Sequence, residues 1–247
     1  MNQRLLSHFN RIERHHWWWQ GRQKLLTFLF KKENPQKILD IGCGTGETIK
    51  FLKNYLPKAE IYGLDSSLVA IKFARSRKLN NIKKGSATKL PFKDNSFDLV
   101  LLLDVLEHIK DDQKALKEAK RVLKPSGSII VTAPALPFIY SDHDKNQNHF
   151  RRYTKKELIS LAQNTKLNLV FLSYFNFFLS FPIIIIRLVS KLPIFKFLSS
   201  YDSGLNYDLA NKKGVNTILT SLFRFEINLL KWIKYPIGIS LVAKFKK

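Results

Sequence analysis

Three glycines at alternate positions are the first sign of a ligand site. Gly42, Gly44 and Gly46 follow an apolar run that contains Asp40, and apolar residues with helical spacing come after them. Glycine is needed where the backbone must approach a ligand without a Cβ atom in the way, and a following helix offers free N–H groups. The spacing differs from the G-x-G-x-x-G of dinucleotide loops, and no P-loop lysine follows. The pattern predicts a strand, a tight turn and a helix around a bound small molecule.

A second group of polar residues lies between positions 142 and 153 and could act on an acceptor. Its members are Asp142, His143, His149, Arg151, Arg152 and Tyr153. Histidine can take a proton near neutral pH, and paired arginines can bind a carboxylate or phosphate through two hydrogen bonds. The alternative is that the two arginines fix the start of the next helix. The spacing of Asp142, His143 and His149 matches no zinc pattern, so no metal is expected.

Alternating strand and helix patterns supply the scaffold for both groups. Strands are predicted at 37–41, 60–65, 82–86, 97–103, 128–133 and 167–175, with a last strand at 236–245. Helices are predicted at 46–56, 67–79, 111–123 and 154–164. Repeated strand–helix units imply a doubly wound α/β sheet, whose parallel strands are covered on both faces. A ligand then lies beyond the carboxyl ends of the strands, near the first one.

Several short motifs, in this order, resemble the class I S-adenosylmethionine-dependent methyltransferases of the type 11 group. They are Asp40 with its three glycines, then 61–65, 86–92, 97–108 and 121–128. Over residues 35–135 the resemblance implies a Rossmann-like fold with a seven-stranded mixed sheet in the order 3-2-1-4-5-7-6. It also implies S-adenosyl-L-methionine as the cofactor and methyl transfer as the reaction.

The resemblance also implies cofactor contacts for particular residues. Asp40, Gly42, Gly44, Gly46 and Asp104 would border the methionine part, Asp65 and Ser66 the ribose, and Ala87 and Thr88 the adenine. An aspartate often precedes that alanine in the family, and Ser86 stands there instead, so a charged contact to the adenine is not expected. For Asp65 the alternative is a helix N-cap. His108 would lie near the transferred methyl group or, alternatively, fix its loop.

A second resemblance concerns the acceptor side. The His-x-Arg-Arg-Tyr motif from His149 is similar to one in methyltransferases found with glycan-modifying enzymes. The catalytic candidates are His149, His143, Arg152, Tyr153 and His108. Methyl transfer from a sulfonium needs little covalent help, so the protein must align the reactants and, where needed, remove a proton. We expect O-methylation of a small or lipid-linked molecule.

Two rival functions stay open. The first is an RNA or protein methyltransferase, although no Asn-Pro-Pro-Tyr motif of amino-methylating enzymes follows the fourth predicted strand. The second is a cofactor-binding scaffold without catalysis in a membrane-associated complex. Turnover with any acceptor would separate the scaffold from an enzyme.

The N-terminal segment 1–34 is predicted to be a helical cap with three consecutive tryptophans, Trp17 to Trp19. Three neighbours cannot all face one side of a helix, so at least one should turn toward a ligand, a partner or lipid. The segment resembles the aromatic N-terminal piece of the glycan-associated methyltransferases, which covers the cofactor site. The alternative is a helix that packs on the sheet.

Residues 177–235 read as an apolar helical insertion between the core, 35–176, and the last strand, 236–247. The 20 residues between Lys166 and Arg187 carry no charge, a length that could span a membrane. Pro182 and the fit of the first half to the sixth strand disfavour a span. Docking on an anionic membrane, internal packing and pairing as a homodimer stay open.

Composition limits the surroundings in which the chain works. The formal net charge is +23, and three explanations stay open for it: nucleic acid, an anionic membrane surface, or a lysine-rich composition without function. Nucleic acid is disfavoured because no basic run is interleaved with aromatic residues in a known RNA-binding pattern. The single cysteine, Cys43, allows no internal disulfide, so we expect a cytoplasmic location. If the chain docks on a membrane, we expect it at the inner face.

Overall fold

The structure is a computed structural model that describes residues 3–31, 33–190, 192 and 212–247. Its strands are β1 (Lys37–Ile41), β2 (Glu60–Asp65), β3 (Ile82–Lys84), β4 (Phe97–Leu103), β5 (Leu123–Pro134), β6 (Asn168–Phe175) and β7 (Ser240–Lys246). They form one sheet in the order β3-β2-β1-β4-β5-β7-β6, with β7 antiparallel to both neighbours. The predicted Rossmann-like fold and strand order are confirmed.

Helices cover both faces of this sheet. Among the described residues they are α1 (Gln3–Ile12), α2 (Trp17–Phe30), α3 (Glu47–Tyr55), α4 (Leu68–Ser76), α5 (Asp112–Val122), α6 (Asp142–Asn146), α7 (Lys155–Asn164), α8 (Ser180–Val189) and α9 (Lys213–Leu229). Short 3₁₀ turns at Leu106–His108 and Pro137–Ile139 follow β4 and β5.

The centre of the sheet is β1 between β2 and β4, all parallel. Ile41, the last residue of β1, lies opposite Leu64 on β2 and Leu102 on β4. These side chains are buried, as expected for strands covered by helices on both faces. The carboxyl ends of the three strands therefore lie side by side, where the glycine loop leaves β1.

Three strand boundaries differ from the prediction by two or more residues. β3 ends at Lys84, because Ser86 forms an isolated bridge with Lys89 in the following turn. β5 begins at Leu123, since a register shift between Phe97 and Leu99 lets Leu123 pair with Phe97. β7 begins at Ser240 and not at 236, and before it Tyr235 makes only an isolated bridge with Tyr174.

The N-terminal helices pack against the C-terminal helix α9 as well as the sheet. Gly21 of α2 allows this approach, because an added Cβ atom would lie 1.9 Å from the Phe223 ring. The backbone N–H of Trp17 donates to the Oδ1 of Asn216 at 2.7 Å. Leu25 and Leu26 on the same helix are buried in the core. The cap and α9 thus form one wall above the carboxyl end of the sheet.

Helices α8 and α9 both lie between β6 and β7 in the chain, within the predicted insertion. Glu226 of α9 is buried, and both of its carboxylate oxygens accept from the backbone N–H of Phe177 at 3.1 Å. Residues 191 and 193–211 lie outside the described residues, so the insertion as a whole and the domain boundaries stay predictions. In the described part of the chain, no helix has the length and apolar character needed to cross a membrane.

Candidate functional site

A cavity of about 590 Å³ opens beyond the carboxyl ends of β1 and β4. The glycine loop forms one wall, and α1 with α2 forms the second. The 3₁₀ turn after β4 and the segment around α6 form the third, and α8 with α9 completes it. Pockets for small organic ligands have this size, and the position is the one expected in a doubly wound sheet.

The glycine loop presents open backbone to the cavity. Gly42 and Gly44 have left-handed φ angles of +69° and +53°, which residues with side chains rarely adopt. An added Cβ atom on Gly42 would lie 2.6 Å from Val105. On Gly44 it would meet no atom of the described residues within 4 Å, chain neighbours aside. Gly44 lines the cavity, so a ligand can approach its backbone closely.

Gly46 is needed for packing and does not line the cavity. Its φ is +87°, and an added Cβ atom would lie 2.5 Å from Leu79 and 3.1 Å from Ala74. The position therefore lets α3 begin against α4. The predicted cofactor contact of Gly46 stays a prediction, because the structure accounts for this glycine without a ligand.

Asp65 holds the glycine loop to the end of β2. Its Oδ2 accepts from the backbone N–H of Gly44 at 2.9 Å, and its Oδ1 accepts from the N–H of Ser67 at 2.8 Å. The N-cap of α4 is Ser67, whose side chain accepts from Ala70. The N-cap of α4 is therefore Ser67 and not Asp65, which was the alternative role for Asp65.

Asp40 is the second-last residue of β1, just before the glycine loop. It is buried, and burial raises the pKa of its carboxyl to about 7, with Arg22 opposing the rise and Asp65 adding to it. Asp40 does not line the cavity, so its predicted cofactor contact stays a prediction.

Asp104 stands at the cavity wall between a strand and the N-terminal cap. Its backbone is left-handed, with φ +57°. Its Oδ1 accepts from the hydroxyl of Thr132 at 2.9 Å, and its Oδ2 pairs with Arg22 at 3.1 Å. Both Asp104 and Arg22 line the cavity, so the structure brings Asp104 together with the glycine loop.

The residues predicted to border the ribose and adenine lie outside the lining of this cavity. Ser66 is exposed. The hydroxyls of Ser86 and Thr88 lie 2.8 Å apart, and Ala87 packs against the core below the sheet's central strands. Their contacts to the cofactor stay predictions.

All three consecutive tryptophans line the cavity. Trp18 stacks on Phe175 with 5.9 Å between ring centroids, and Trp19 meets Phe9 edge-on at 5.1 Å. Trp17 makes an edge contact with Phe223 at 5.7 Å. The cap therefore covers the cavity and also packs on the fold, which combines the two alternatives.

A buried ionic network ties this cap to the glycine loop, and the sequence reasoning missed it. Glu13, at the end of α1, accepts from the hydroxyl of Thr45 and pairs with Arg77. Arg77 also pairs with Glu47 at 2.8 Å. Glu13, Thr45 and Glu47 all line the cavity, so closure by the cap and the shape of the loop are coupled.

At the opposite end of the cavity, Asp144 is the centre of a second buried network. It is fully buried and pairs with Arg152 at 2.8 Å, Arg187 at 3.1 Å and His149 at 3.1 Å. Burial works to raise the pKa of Asp144, but the hydrogen bonds from His149 and Arg152 and the arginine charges outweigh it and lower the pKa well below its usual range. Arg152 also donates to the carbonyl of Ala135 at 2.8 Å. Both of its terminal nitrogens are thus engaged within the protein.

Glu107, His108 and His149 meet beside this network, and all three line the cavity. The rings of His108 and His149 lie 4.7 Å apart. Burial and the neighbouring His149 lower the pKa of His108 to about 4, so its imidazole is neutral near pH 7. Burial, followed by the charge of Asp104, raises the pKa of Glu107 well above its usual range.

Among the remaining predicted residues, only His143 lines the cavity, and Tyr153, Arg151 and Asp142 do not. His143 lines the cavity and lies 2.6 Å from the side-chain nitrogen of Gln147. Tyr153 does not line it, because its buried hydroxyl donates to Asp112 at 2.7 Å. Arg151 pairs with the same Asp112, at the start of α5, at 2.8 Å, whereas the next helix, α7, is capped by Thr154 and Glu157. Asp142 forms an ion pair with Lys145 near the surface.

The sequence carried weak signals for two of the missed residues. Ser141 and Asp144 form a capping box for α6, a pattern that could have drawn attention to Asp144. Arg187 is the first charge after a long apolar stretch, and such an arginine needs a buried partner. Glu107 had no comparable signal, since its burial depends on the three-dimensional packing.

Comparison with known proteins places the chain beside methyltransferases. Residues 39–131 match a family model described as a methyltransferase domain. A demethylmenaquinone methyltransferase of Thermotoga maritima is 36% identical over 110 residues, 44% of this chain and 48% of that protein. One from Staphylococcus aureus is 39% identical over 109 residues, 41% of this chain and 45% of that protein. The chain thus spans about half the length of these curated relatives.

The fold extends further than the sequence similarity. A crystal structure of an S-adenosylmethionine-dependent methyltransferase from Thermotoga maritima superposes with a TM-score of 0.60 over 99% of this chain and 97% of that one. The two sequences are 21% identical, so this likeness concerns the fold.

Proposed function

We propose that this chain, which belongs to the class I S-adenosyl-L-methionine-dependent methyltransferases, methylates an oxygen atom of a small or lipid-like acceptor. The observation that carries the proposal is one cavity that joins the glycine loop to apolar, aromatic and histidine side chains. Alignment of the methyl donor and the acceptor in one enclosed site supplies most of the rate acceleration that methyl transfer needs.

The residues at the loop end of the cavity fit the cofactor. Gly42 and Gly44 expose their backbone, and the space beside Gly44 is open. Asp104 offers a carboxylate for the ammonium group of the methionine part, while Arg22 keeps it in place. S-adenosylmethionine, when bound, supplies a methyl group on a sulfonium, which needs no covalent activation by the protein.

The acceptor end favours an apolar molecule that carries one polar group. Its apolar lining comes from the cap and from α8 and α9: Trp17, Trp18, Leu179, Ile183, Ile186 and Leu219. The polar group would meet His108 and His149 at the far wall. The acceptor named in the curated relatives, demethylmenaquinone, is a lipid-like quinone, and it supports an acceptor of this class for the present chain.

The direct test is to identify the methylated product. The chain should be incubated with S-adenosylmethionine and, separately, with demethylmenaquinone, hydroxylated quinone precursors and a bacterial lipid extract. We expect mass spectrometry to find one added methyl group on an organic-soluble product, and fragmentation to place it on oxygen. A methyl group on carbon would contradict the O-methylation, and labelled RNA or protein in place of a lipid would contradict the acceptor class.

The outer faces of α8 and α9 suggest how such an acceptor reaches the cavity. These helices expose Phe181 (57%), Ile185 (61%), Ile218 (68%) and Phe225 (54%), and Trp232 just after α9 is 84% exposed. Ile186 is both 48% exposed and part of the cavity lining. The apolar surface and the cavity are therefore continuous.

Exposed positive charges border the same surface, and they point to an anionic membrane as its partner. They are Lys212, Lys213, Arg224, Lys231 and Lys234. Apolar contact and attraction to anionic lipid add at a bilayer interface, and each basic residue contributes about 1 kcal/mol there. Docking would place the cavity beside a lipid-like acceptor.

Liposome co-sedimentation tests the docking. Binding should increase with the anionic lipid fraction and fall with salt, because salt screens surface charge. The double variant Ile185→Ser with Trp232→Ser should lose binding, whereas Leu68→Ser, an exposed leucine on α4, should keep it. Binding that ignores lipid charge would contradict the electrostatic part, and a stable dimer without liposome binding would assign the surface to a second copy.

A further inference from the structure

The side chain of Glu107 is buried without a hydrogen-bond partner among the described residues. It is 0% exposed, it lines the cavity, and neither carboxylate oxygen has a hydrogen-bond partner among the described residues. Burial of an unpartnered carboxylate is costly, and an unsatisfied buried group in a native site calls for an explanation. The charge of the nearby Arg152 acts to lower the pKa of Glu107, but the terminal nitrogens of Arg152 donate to Asp144 and Ala135 and its Nε makes no hydrogen bond to Glu107.

The two histidines beside Glu107 are oriented by acceptors on the protein side. The Nδ1 of His108 lies 3.2 Å from the carbonyl oxygen of Asn148, and the Nδ1 of His149 lies 3.1 Å from the Oδ1 of Asp144. A carbonyl and an ionised carboxylate can only accept, so each Nδ1 carries the hydrogen. In the neutral imidazole, the Nε2 then carries a lone pair that can bind a metal ion.

We propose that Glu107, His108 and His149 bind one divalent transition-metal ion at the acceptor end of the cavity. One candidate ligand atom of each residue lies within 4.8 Å of those of the other two. Ligands around a tetrahedral zinc ion lie roughly 3.3 Å apart, so small side-chain rotations would close the set around one ion. The ion would neutralise the carboxylate of Glu107 and explain its burial.

The donor set selects the kind of metal. Two imidazoles and one carboxylate are the protein ligands of several catalytic zinc sites, which keep a further position open for water or substrate. Magnesium and calcium prefer oxygen ligands, so a zinc-like ion fits this site better. Asp144 would act behind His149, since a metal-bound histidine commonly donates its other N–H to a carboxylate.

The catalytic role of this metal site rests on the proposed function, methyl transfer to an oxygen atom of the acceptor. The open position faces the cavity, where it would take the hydroxyl oxygen of the acceptor. Coordination favours loss of the hydroxyl proton to water, as it does for zinc-bound water. The oxygen would then form a bond to the methyl carbon while the carbon–sulfur bond breaks and its electron pair stays on sulfur.

Metal binding can be tested without turnover by titrating the chelator-treated full chain with Co²⁺. We expect one equivalent of Co²⁺ to give visible absorption bands of a low-coordinate site. Glu107→Gln and His149→Asn should each weaken binding by about 100-fold or more, since loss of even an outer partner of a metal ligand costs about 10- to 100-fold. His143→Asn is the matched control, because it removes a cavity histidine outside the set, and its affinity should stay within about twofold.

Two results would overturn the metal site: a parent chain without one equivalent of bound Co²⁺, or full binding in both Glu107→Gln and His149→Asn. Glu107→Gln keeps the shape of the side chain, so it remains informative where His149→Asn does not fold. Binding of S-adenosylmethionine to the chelator-treated chain is measured separately. A chain that binds the cofactor and no Co²⁺ overturns the metal site alone, whereas one that binds Co²⁺ and no cofactor overturns the proposed function.

Discussion

The guanidinium of Arg22 lies 3.1 Å from the carboxylate of Asp104, and this pair joins the N-terminal cap to the carboxyl end of β4. Asp104 holds a left-handed backbone, and the hydroxyl of Thr132 fixes its other oxygen. A second bond runs from Arg22 to the hydroxyl of Thr48 at 3.5 Å. The cap, the glycine loop and β4 therefore meet at one ion pair in the cavity wall.

Replacement of Arg22 should weaken cofactor binding. In Arg22→Ala, the carboxylate of Asp104 loses its partner and the cap loses its contact with the loop, so we expect affinity for S-adenosylmethionine to fall about tenfold, the effect of roughly 1.4 kcal/mol. Calorimetry measures it. The control Arg14→Ala removes an exposed arginine of the same segment and should bind like the parent. Equal affinity in Arg22→Ala and the parent would contradict the role of the pair.

The buried carboxyl of Asp40 should make stability depend on pH. Its pKa of about 7 in the folded chain lies above the value near 3.9 of an unfolded aspartate, so the folded state keeps a proton that the unfolded state releases. Its contribution to stability is present at low pH and is lost as pH rises through the folded pKa.

Asp40→Asn removes this loss. The free energy of unfolding of the variant, relative to that of the parent, should increase by on the order of 2 to 3 kcal/mol between about pH 5 and about pH 8, at about 1.4 kcal/mol for each pKa unit. Urea unfolding at several pH values measures the difference. Parallel profiles for variant and parent would show that Asp40 ionises in the folded chain as it does when unfolded.

Asp144 should matter for stability far more than Asp142, two positions away. Asp144→Asn leaves the buried guanidiniums of Arg152 and Arg187 without their shared carboxylate, and breaking a buried ion pair from one side costs about 3 to 5 kcal/mol. Asp142→Asn breaks only an exposed pair with Lys145, which contributes little because solvent screens it. Chemical unfolding of both variants provides the comparison, and equal losses would contradict the assignment of Asp144 as the network's centre.

His149 should affect turnover and leave cofactor binding nearly intact. The side chain lies at the acceptor end, held by Asp144, so His149→Gln removes an imidazole that faces the acceptor. We expect kcat to fall by about 100-fold or more, within the range for loss of a group that handles a proton. The control His15→Gln changes an exposed histidine. Loss of S-adenosylmethionine binding in His149→Gln would instead assign the residue to the donor end or to folding.

Local patterns in the sequence predicted the scaffold and, at the loop end of the site, the two glycines that line the cavity, Gly42 and Gly44. The apolar run before Gly42 and the alternation of strand and helix follow from periodicity, which depends on neighbours in the chain. Gly44 faces the cavity as its spacing predicted. For Asp65 the structure shows a hydrogen bond from Gly44, a contact between the end of β2 and the glycine loop that local pattern alone does not reveal.

The acceptor end was less predictable because its residues come together from distant segments. Glu107 and His149 are 42 positions apart in the sequence, and Asp144 reaches Arg187 on α8. Tyr153 belonged to the same motif as His149, yet its hydroxyl turns to Asp112. Which members of a polar cluster face a cavity depends on packing, and a sequence pattern carries little information about it.

The central claim, that the open backbone at Gly44 receives S-adenosylmethionine, is tested most directly by calorimetric titration of the parent and of Gly44→Val. The account predicts binding of one cofactor molecule by the parent and loss of detectable binding in Gly44→Val, because the branched side chain would occupy the space beside the loop. Gly214→Val is the control, since an added Cβ atom there also meets no described atom within 4 Å, and it should bind normally. Binding by folded Gly44→Val as tight as that of the parent would contradict the account.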